Sequence, residues 1–468
     1  MTWPLAWGLV GAAAAASLGA KTPNPIFDAK KNYRQIATTE HGVLGIIDVP
    51  MNASLRVLHL TGTPQQRGFA QGKLLAKEVI DLVQTALPEF YKHNIDGLKD
   101  YIKFLPEFVQ NAVLKLAESA GTAAFSLALD WLEREQRKYN DRKDTGAYDE
   151  IEAIAQGTCS ELNCDAEEVR KSILRANLAP ELIRMQCSML GAWDSATKNG
   201  PVGGALVQHR ALDFGGGPFA NRQVLIVQQP ISSNGTAQMP FASIGFPGFV
   251  SVVTGFNPYF SLSEKVNEQH VGGIPPGSYD GESVAFVLRR IVQFSKTHTH
   301  AFSLAENAHR TWAIWLGLGD ASRFIVGRYT RADIAAYDDK SVPSLTSQKA
   351  FKDIAYIDKW SQPSDSTNMP EVIDELSAYG NITAYSIAQY MPKHTRSGDV
   401  HIAVYQYKNE TNLIDRVLIA TGITTADGEF DGEGARHAYD SPFLDFDAQW
   451  ILNLSPVNKT QNYAARVS

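Results

Sequence analysis

A layered α+β fold is what the sequence predicts, and two observations predict it. Residues 65 to 140, with two further stretches before residue 186, carry apolar side chains at three- and four-residue spacing; beyond that point the chain turns to short β-branched and aromatic runs parted by Gly, Pro and Asn. Blocks of strands and blocks of helices then alternate, as expected of helices packed on sheets. With 468 residues, 44% hydrophobic and 20% charged, the chain has the composition of a globular protein with one large or two medium domains.

The first twenty residues, MTWPLAWGLVGAAAAASLGA, form an uncharged apolar run ending in small residues, which suits a signal peptide better than a spanning helix. The run has no Lys or Arg ahead of it, so an uncleaved anchor is the alternative. Residues 21–186 follow as a mostly helical N-terminal segment. In it, "QQRGFAQGKLLAKEVIDLVQTALPEFYKHN" is punctuated by Pro88, and "DAEEVRKSILRANLAPEL" opens on acidic residues suited to a helix N-terminus. Residues 187–468 are strand-rich and form one compact unit with part of 21–186. Strands are expected at "GGALVQHRALDF", "RQVLIVQQP", "FASIGF", "GFVSVVTGF" and "YFSLSEKV". Helices follow at "GESVAFVLRRIVQFSKT" and "HAFSLAENAHR", strands at "TWAIWLGLG" and "RFIVGRY", helix near 370 to 390, and strands at "VHIAVYQY" and "RVLIATGI". No later stretch is apolar enough to span a bilayer.

A formal charge of -7 leaves no basic footprint for nucleic acid or an anionic membrane. Six N-x-S/T sequons, at Asn52, Asn234, Asn381, Asn409, Asn453 and Asn458, fit a glycosylating secretory route, with Pro456 disfavouring the one at Asn453. Three cysteines in an exported chain leave at least one unpaired. Cys159 and Cys164, in "GTCSELNCD", are the natural pair by proximity, two buried thiols being the alternative. Cys187 is left over.

Downstream of Cys187, "CSMLGAWDSATKNGPVGGALVQHRALDFGGG" runs strand, turn, strand, and a hairpin would return Arg210 and Asp213 toward the cysteine. A guanidinium near a thiol favours thiolate, and a carboxylate can orient an ammonium. A surface salt bridge at a strand end is the plainer account of the same spacing. Other chemistries find less. The chain has no Gly-x-Ser-x-Gly, "DFGGGPF" lacks the Gly-Lys-Ser/Thr of a phosphate loop, and His298, His300, His309, His394 and His401 show no zinc-ligand grouping. No cofactor and no metal are expected.

The chain resembles the peptidase family of isopenicillin-N acyltransferase, within the N-terminal nucleophile hydrolases that also include choloylglycine hydrolase, penicillin V acylase and acid ceramidase. The resemblance is carried by "VLHLTGTPQQRGFAQGKLLAKEV", by "EIEAIAQGTCSELNCDAEEVRKSILRANLAPEL", by the Cys-Ser and Ala-Thr-x-x-Gly around Cys187, and by "GFPGFVSVVTGFNPYFSLSEKV". It covers roughly residues 55 to 330 and thins beyond. It implies a four-layer αββα sandwich and a precursor cleaved between Gln186 and Cys187, so that Cys187 becomes a new N-terminus. A terminal amine with a pKa of about 8 beside a thiol near 8.5 is a base poised to take the thiol proton. By the same resemblance Arg210 would contact the thiolate or substrate, Asp213 would hold the terminal ammonium, and Asn257 would donate to the oxyanion. Gln362 or Asn368 would be a second polar donor. The expected activity is hydrolysis or transfer of the acyl group of a non-peptide amide, a lipid N-acyl amine or ceramide-like molecule foremost, in a secreted or lysosomal setting. The cleaved chains would stay together as a heterodimer. A phospholipase B-like ester hydrolase or an acyltransferase on this scaffold is the alternative within enzymes, and a catalytically silent secreted binding protein is the alternative outside them.

Overall fold

The computed structural model describes residues 22–51, 53–93, 106–120, 122–181, 186–199, 201–213, 217–231, 238–267, 279–343, 349–359, 368–378, 382–426 and 428–454. Two sheets organise them. The seven-stranded sheet runs, in spatial order, Ile26–Asp28, Phe443–Asp447, Leu413–Thr421, His401–Lys408, Val207–Asp213, Gln186–Ala192, Ile354–Ile357. The ten-stranded sheet runs Ile334–Tyr337, Arg323–Tyr329, Ile314–Asp320, Phe260–Val266, Gly255–Phe256, Phe241–Gly245, Val224–Pro230, Ala53–Gly62, Gly42–Val49, Tyr33–Thr39. The fold is mixed α+β.

The central strands are covered on both faces. Every residue of Val207–Asp213 and of Phe260–Val266 is buried, which is why these stretches read as nearly continuous runs rather than as alternating ones. The sheets meet through Gln208, whose Nε2 donates to Ser263 Oγ at 2.9 Å and whose Oε1 accepts from Ser261 Oγ at 2.7 Å. Gly317 allows the close approach: a Cβ there would lie 2.9 Å from Met189 Sδ and 2.7 Å from the Phe324 ring.

Helix Ala384–Thr395 lies against strands His401–Lys408 and Leu413–Thr421 of the first sheet, and helix Pro64–Leu74 against Ala53–Gly62 of the second. The latter helix starts where the sequence places Thr63 and Pro64: Thr63 and Gln66 form a reciprocal capping box, and Pro64 occupies the first turn, where a missing N–H costs nothing. Glu150 ties three helices together, accepting from Arg67 at 3.0 Å and Arg289 at 2.7 Å with all three side chains fully buried. Cys159 and Cys164 are joined in a disulfide across the corner between helices Ala147–Leu162 and Ala166–Leu178, which turn at the left-handed Asn163.

Two stretches differ from the sequence reading. Residues 26–62, within the segment read as mostly helical, form four strands that join both sheets, the first and last through parallel pairing. Residues 249–254 of "GFVSVVTGF" form a bend rather than a strand. Gly248 has a left-handed φ of 83°, and the Val250 and Ser251 amides donate to the Asn177 side chain at 2.8 and 2.9 Å instead of to a neighbouring strand. Phe249 of this stretch packs in the core edge to face against Phe246, just ahead of it. Among the sequons, Asn409 and Asn453 are exposed; Asn52, Asn234, Asn381 and Asn458 lie outside the described residues, as does the leader.

Candidate functional site

The hairpin forms with Gln186 opposite Asp213, Cys187 opposite Leu212 and Met189 opposite Arg210. Residues directly opposite in an antiparallel pair share a face, so Cys187 and Arg210 stand on the face turned to the second sheet, while Asp213 and Ser188 stand on the other. The thiol is free, fully buried, and 4.0 Å from Glu264 Oε1. Burial pushes its pKa up to about 12; the charge of Arg210 opposes that rise and the charge of Glu264 adds to it. In the intact chain the sulfur is therefore held as a thiol.

Arg210 is fully buried and engaged on three sides: Nη2 to Glu264 Oε1 at 2.8 Å, Nη1 to the Ala211 carbonyl at 2.7 Å, and Nε to Thr254 Oγ1 at 3.2 Å. A relay behind Thr254 fixes proton positions. Gln223 Nε2 donates to the Ala220 and Val400 carbonyls, so its Oε1 accepts from His401 Nδ1 at 3.0 Å. Burial lowers the His401 pKa well below its usual value, so the ring is neutral and its bare Nε2 accepts from the Thr254 hydroxyl at 2.9 Å. Thr254 thus turns a lone pair toward Arg210.

On the opposite face Asp213 accepts from Ser397 Oγ at 2.6 Å, the Gly398 amide at 2.8 Å and Lys359 Nζ at 2.9 Å. Because Ser397 donates to Asp213, its oxygen accepts from Ser188, 2.7 Å away. The residue after Cys187 is thereby wired to the carboxylate opposite Gln186.

Asn257 is placed differently from a free donor. Its Nδ2 gives both hydrogens to the Val292 and Ser295 carbonyls, each at 2.7 Å, and its Oδ1 accepts from the Tyr259 and Phe260 amides at 2.8 and 2.9 Å. Donation to an oxyanion would require release of two short bonds. Asn368 is exposed at a left-handed position opening helix Met369–Ala378, and Gln362 lies outside the described residues.

The sequence reading missed Glu264, Thr254, His401, Ser397 and Lys359 as neighbours of the cysteine and of its hairpin partners. A signal existed for Glu264: "FSLSEKV" carries Glu and Lys side by side in a doubly covered strand, where charges are rare unless paired or used. Thr254, Ser397 and Lys359 come from distant stretches, and nothing local marks them. Among the described residues no group of three or more His, Cys, Asp and Glu side chains could hold a metal ion.

Fold and site define a mixed α+β protein with a buried free cysteine heading an interior strand. Protein dcd1A of Dictyostelium discoideum is 30% identical over 402 residues, covering 83% of this chain and 84% of that protein. Protein dcd1B of the same organism is 28% identical over 448 residues, covering 92% and 81%. The chain belongs to the family of Protein dcd1A. No family model matches it. Among solved structures it is similar to the Caenorhabditis elegans N-acylethanolamine-hydrolyzing acid amidase ortholog, at 16% identity and a TM-score of 0.32, over 56% of this chain and 100% of that one.

Proposed function

We propose that the protein is a self-processing cysteine hydrolase of the N-terminal nucleophile type, with its helices and sheets layered α-β-β-α, that cleaves the acyl group of a non-peptide amide. The observation that carries this reading is the place of Cys187: first residue past Gln186, on an interior strand, with a buried guanidinium on its own face and a satisfied carboxylate opposite its neighbour.

In the precursor, Cys187 Sγ attacks the Gln186 carbonyl. The C–S bond forms, the Gln186–Cys187 C–N bond breaks and the thiol proton ends on the new amine; water then cleaves the thioester and leaves Gln186 as a carboxylate. The freed α-amine becomes the base for its own sulfur, with Asp213 to hold it when protonated and Arg210 to favour thiolate. Substrate cleavage repeats the attack on an amide carbonyl, the amine leaving with a proton and water resolving the acyl-thioester. The strands at 26–62 sit in both sheets, so the two chains stay together after cleavage. The Cys159–Cys164 disulfide and exposed Asn409 favour a secreted or lysosomal setting.

Intact-mass measurement tests the reading. Two chains are expected, the second beginning at Cys187, and Cys187→Ala should remain a single chain without amidase activity. A wild-type protein that stays uncut, or a Cys187→Ala variant that still hydrolyses amides, overturns it.

A further inference from the structure

The two strands that flank Cys187 are tied to each other across it. Strand Gln186–Ala192 runs between Val207–Asp213 and Ile354–Ile357. On one side Asp213 stands opposite Gln186 and shares its face. On the other, Ile357 pairs with Met189, so the same register continued by two residues brings Lys359 level with Cys187. Lys359 Nζ meets Asp213 Oδ1 at 2.9 Å, the carboxylate 2% and the lysine 17% exposed. An ion pair shielded from water therefore crosses the head of the strand at Gln186 and Cys187, where the proposed reaction cuts.

That cut would give the pair a third member. Asp213 is already met by three donors, the Gly398 amide, Ser397 Oγ and Lys359 Nζ, so a carboxylate with about four lone-pair positions has room for one more. It lies close enough to Cys187 for its charge to act on the thiol. The surrounding charged and titratable groups come from every side. Asp358 accepts the Lys359 amide at 2.6 Å, Arg396 and Asp399 flank the Ser397–Gly398 turn, and Arg210 with Glu264 occupies the far face of the sheet. From the facing loop come His437 and Tyr439, with Asp431 and Asp440 beside the histidine. Burial lowers His437 and pushes Tyr439 up to about 12, so both are neutral near neutrality. Among the described residues, Lys359 is the cation of this set that bonds Asp213.

We infer that Lys359 tunes the base of the nucleophile: it occupies Asp213 in the uncut chain, shares that carboxylate with the Cys187 ammonium once the chain is cut, and by repulsion makes that amine release its proton more readily. The inference rests on cleavage before Cys187. Two cations on one carboxylate stand within about 4–6 Å of each other, where a like charge disfavours the charged form. Lys359 thus acts through the amine and not on the substrate.

The amine can be read directly, without turnover. In protein carrying carbon-13 at the cysteine carbonyls, with the Cys187 thiol capped by iodoacetamide, the Cys187 carbonyl signal moves as its own α-amine loses a proton; its absence from Cys187→Ala identifies it. Lys359→Gln, which keeps a donor but no charge, should raise the midpoint by about one pH unit relative to wild type. Lys359→Met, the second neutral variant, should do the same, and Lys359→Arg, which keeps the charge, should stay near wild type. A midpoint unchanged or lowered in the neutral variants, or raised as far in Lys359→Arg, overturns the inference. So does a neutral variant that folds but stays uncut, because Lys359 would then act on the scissile bond itself. A wild-type chain that stays uncut overturns instead the reading on which the inference rests.

Discussion

At the scale of single residues, the site is decided by how one buried ion pair is balanced. Arg210 and Glu264 both lie in the interior, and each is tolerable there only because the other is present. Arg210→Met is expected to cost about 3–5 kcal/mol, since Glu264 would then stand uncompensated in the core. Adding Glu264→Leu should recover a large part of that loss, and urea unfolding of the two single variants and the double variant closes the cycle. Self-cleavage separates scaffold from chemistry in the same set: the double variant should regain stability but remain uncut, because the group that favours thiolate is gone. If the double variant cleaves at the wild-type rate, Arg210 is only a structural partner of Glu264. The relay through Thr254, His401 and Gln223 gives a reason for the guanidinium to hold one orientation, since each member has its donor and acceptor roles fixed by the next.

At the scale of elements, Asn257 shows how a turn can compete with a catalytic role for one side chain. Its amide closes the turn into strand Phe260–Val266 and bonds the last turn of helix Val284–Phe294 and the Ser295 that follows, through four hydrogen bonds. At about 1 kcal/mol net for each, Asn257→Ala should lower stability by roughly 2–4 kcal/mol, read by thermal or urea unfolding. An unchanged midpoint with turnover lost would instead mark Asn257 as an oxyanion donor. The same contrast explains what the sequence could disclose. The hairpin bringing Cys187 level with Leu212, and Arg210 level with Met189, was legible because a strand, turn and strand fix register locally. The helices from 65 onward were legible from periodicity, while the cap at Thr63 and Pro64 that opens the first of them emerged only with the structure. Of the strands at 26–62, Ile26–Asp28 was hidden because its partner Phe443–Asp447 lies far along the chain, while Tyr33–Thr39, Gly42–Val49 and Ala53–Gly62 pair with one another in sequence and were nonetheless missed. Lys359 and Ser397 escaped because each meets the Cys187 hairpin across the fold and carries no mark in its own neighbourhood, whereas Glu264 was marked by its place in "FSLSEKV".

At the scale of the whole molecule, buried titratable groups pull stability in opposite directions across the neutral range. Burial lowers His59 to about 4 and His209 to about 3, and holds His401 well below its usual value. Below pH 6.5 the unfolded chain takes up protons that these folded rings refuse, so their contribution is complete above 6.5 and is lost as pH falls. Glu181 behaves in the opposite sense. Burial raises it to about 7, with bonds from the Val284 amide and Thr311 only partly opposing that rise, so its contribution is complete below 4.5 and is lost as pH rises toward 7. Single variants resolve the two. Going from pH 7.5 to 5.5, one histidine crosses a full unit below 6.5, so His59→Leu should shrink the acid loss by about 1.4 kcal/mol relative to wild type. Over the same interval Glu181 takes up a proton that the unfolded chain leaves off, so Glu181→Gln should enlarge the acid loss by about 2 kcal/mol. Urea unfolding at the two pH values reads both. Shifts of the same sign in the two variants would mean that these side chains are solvated in the folded protein, and that its pH dependence arises at the surface.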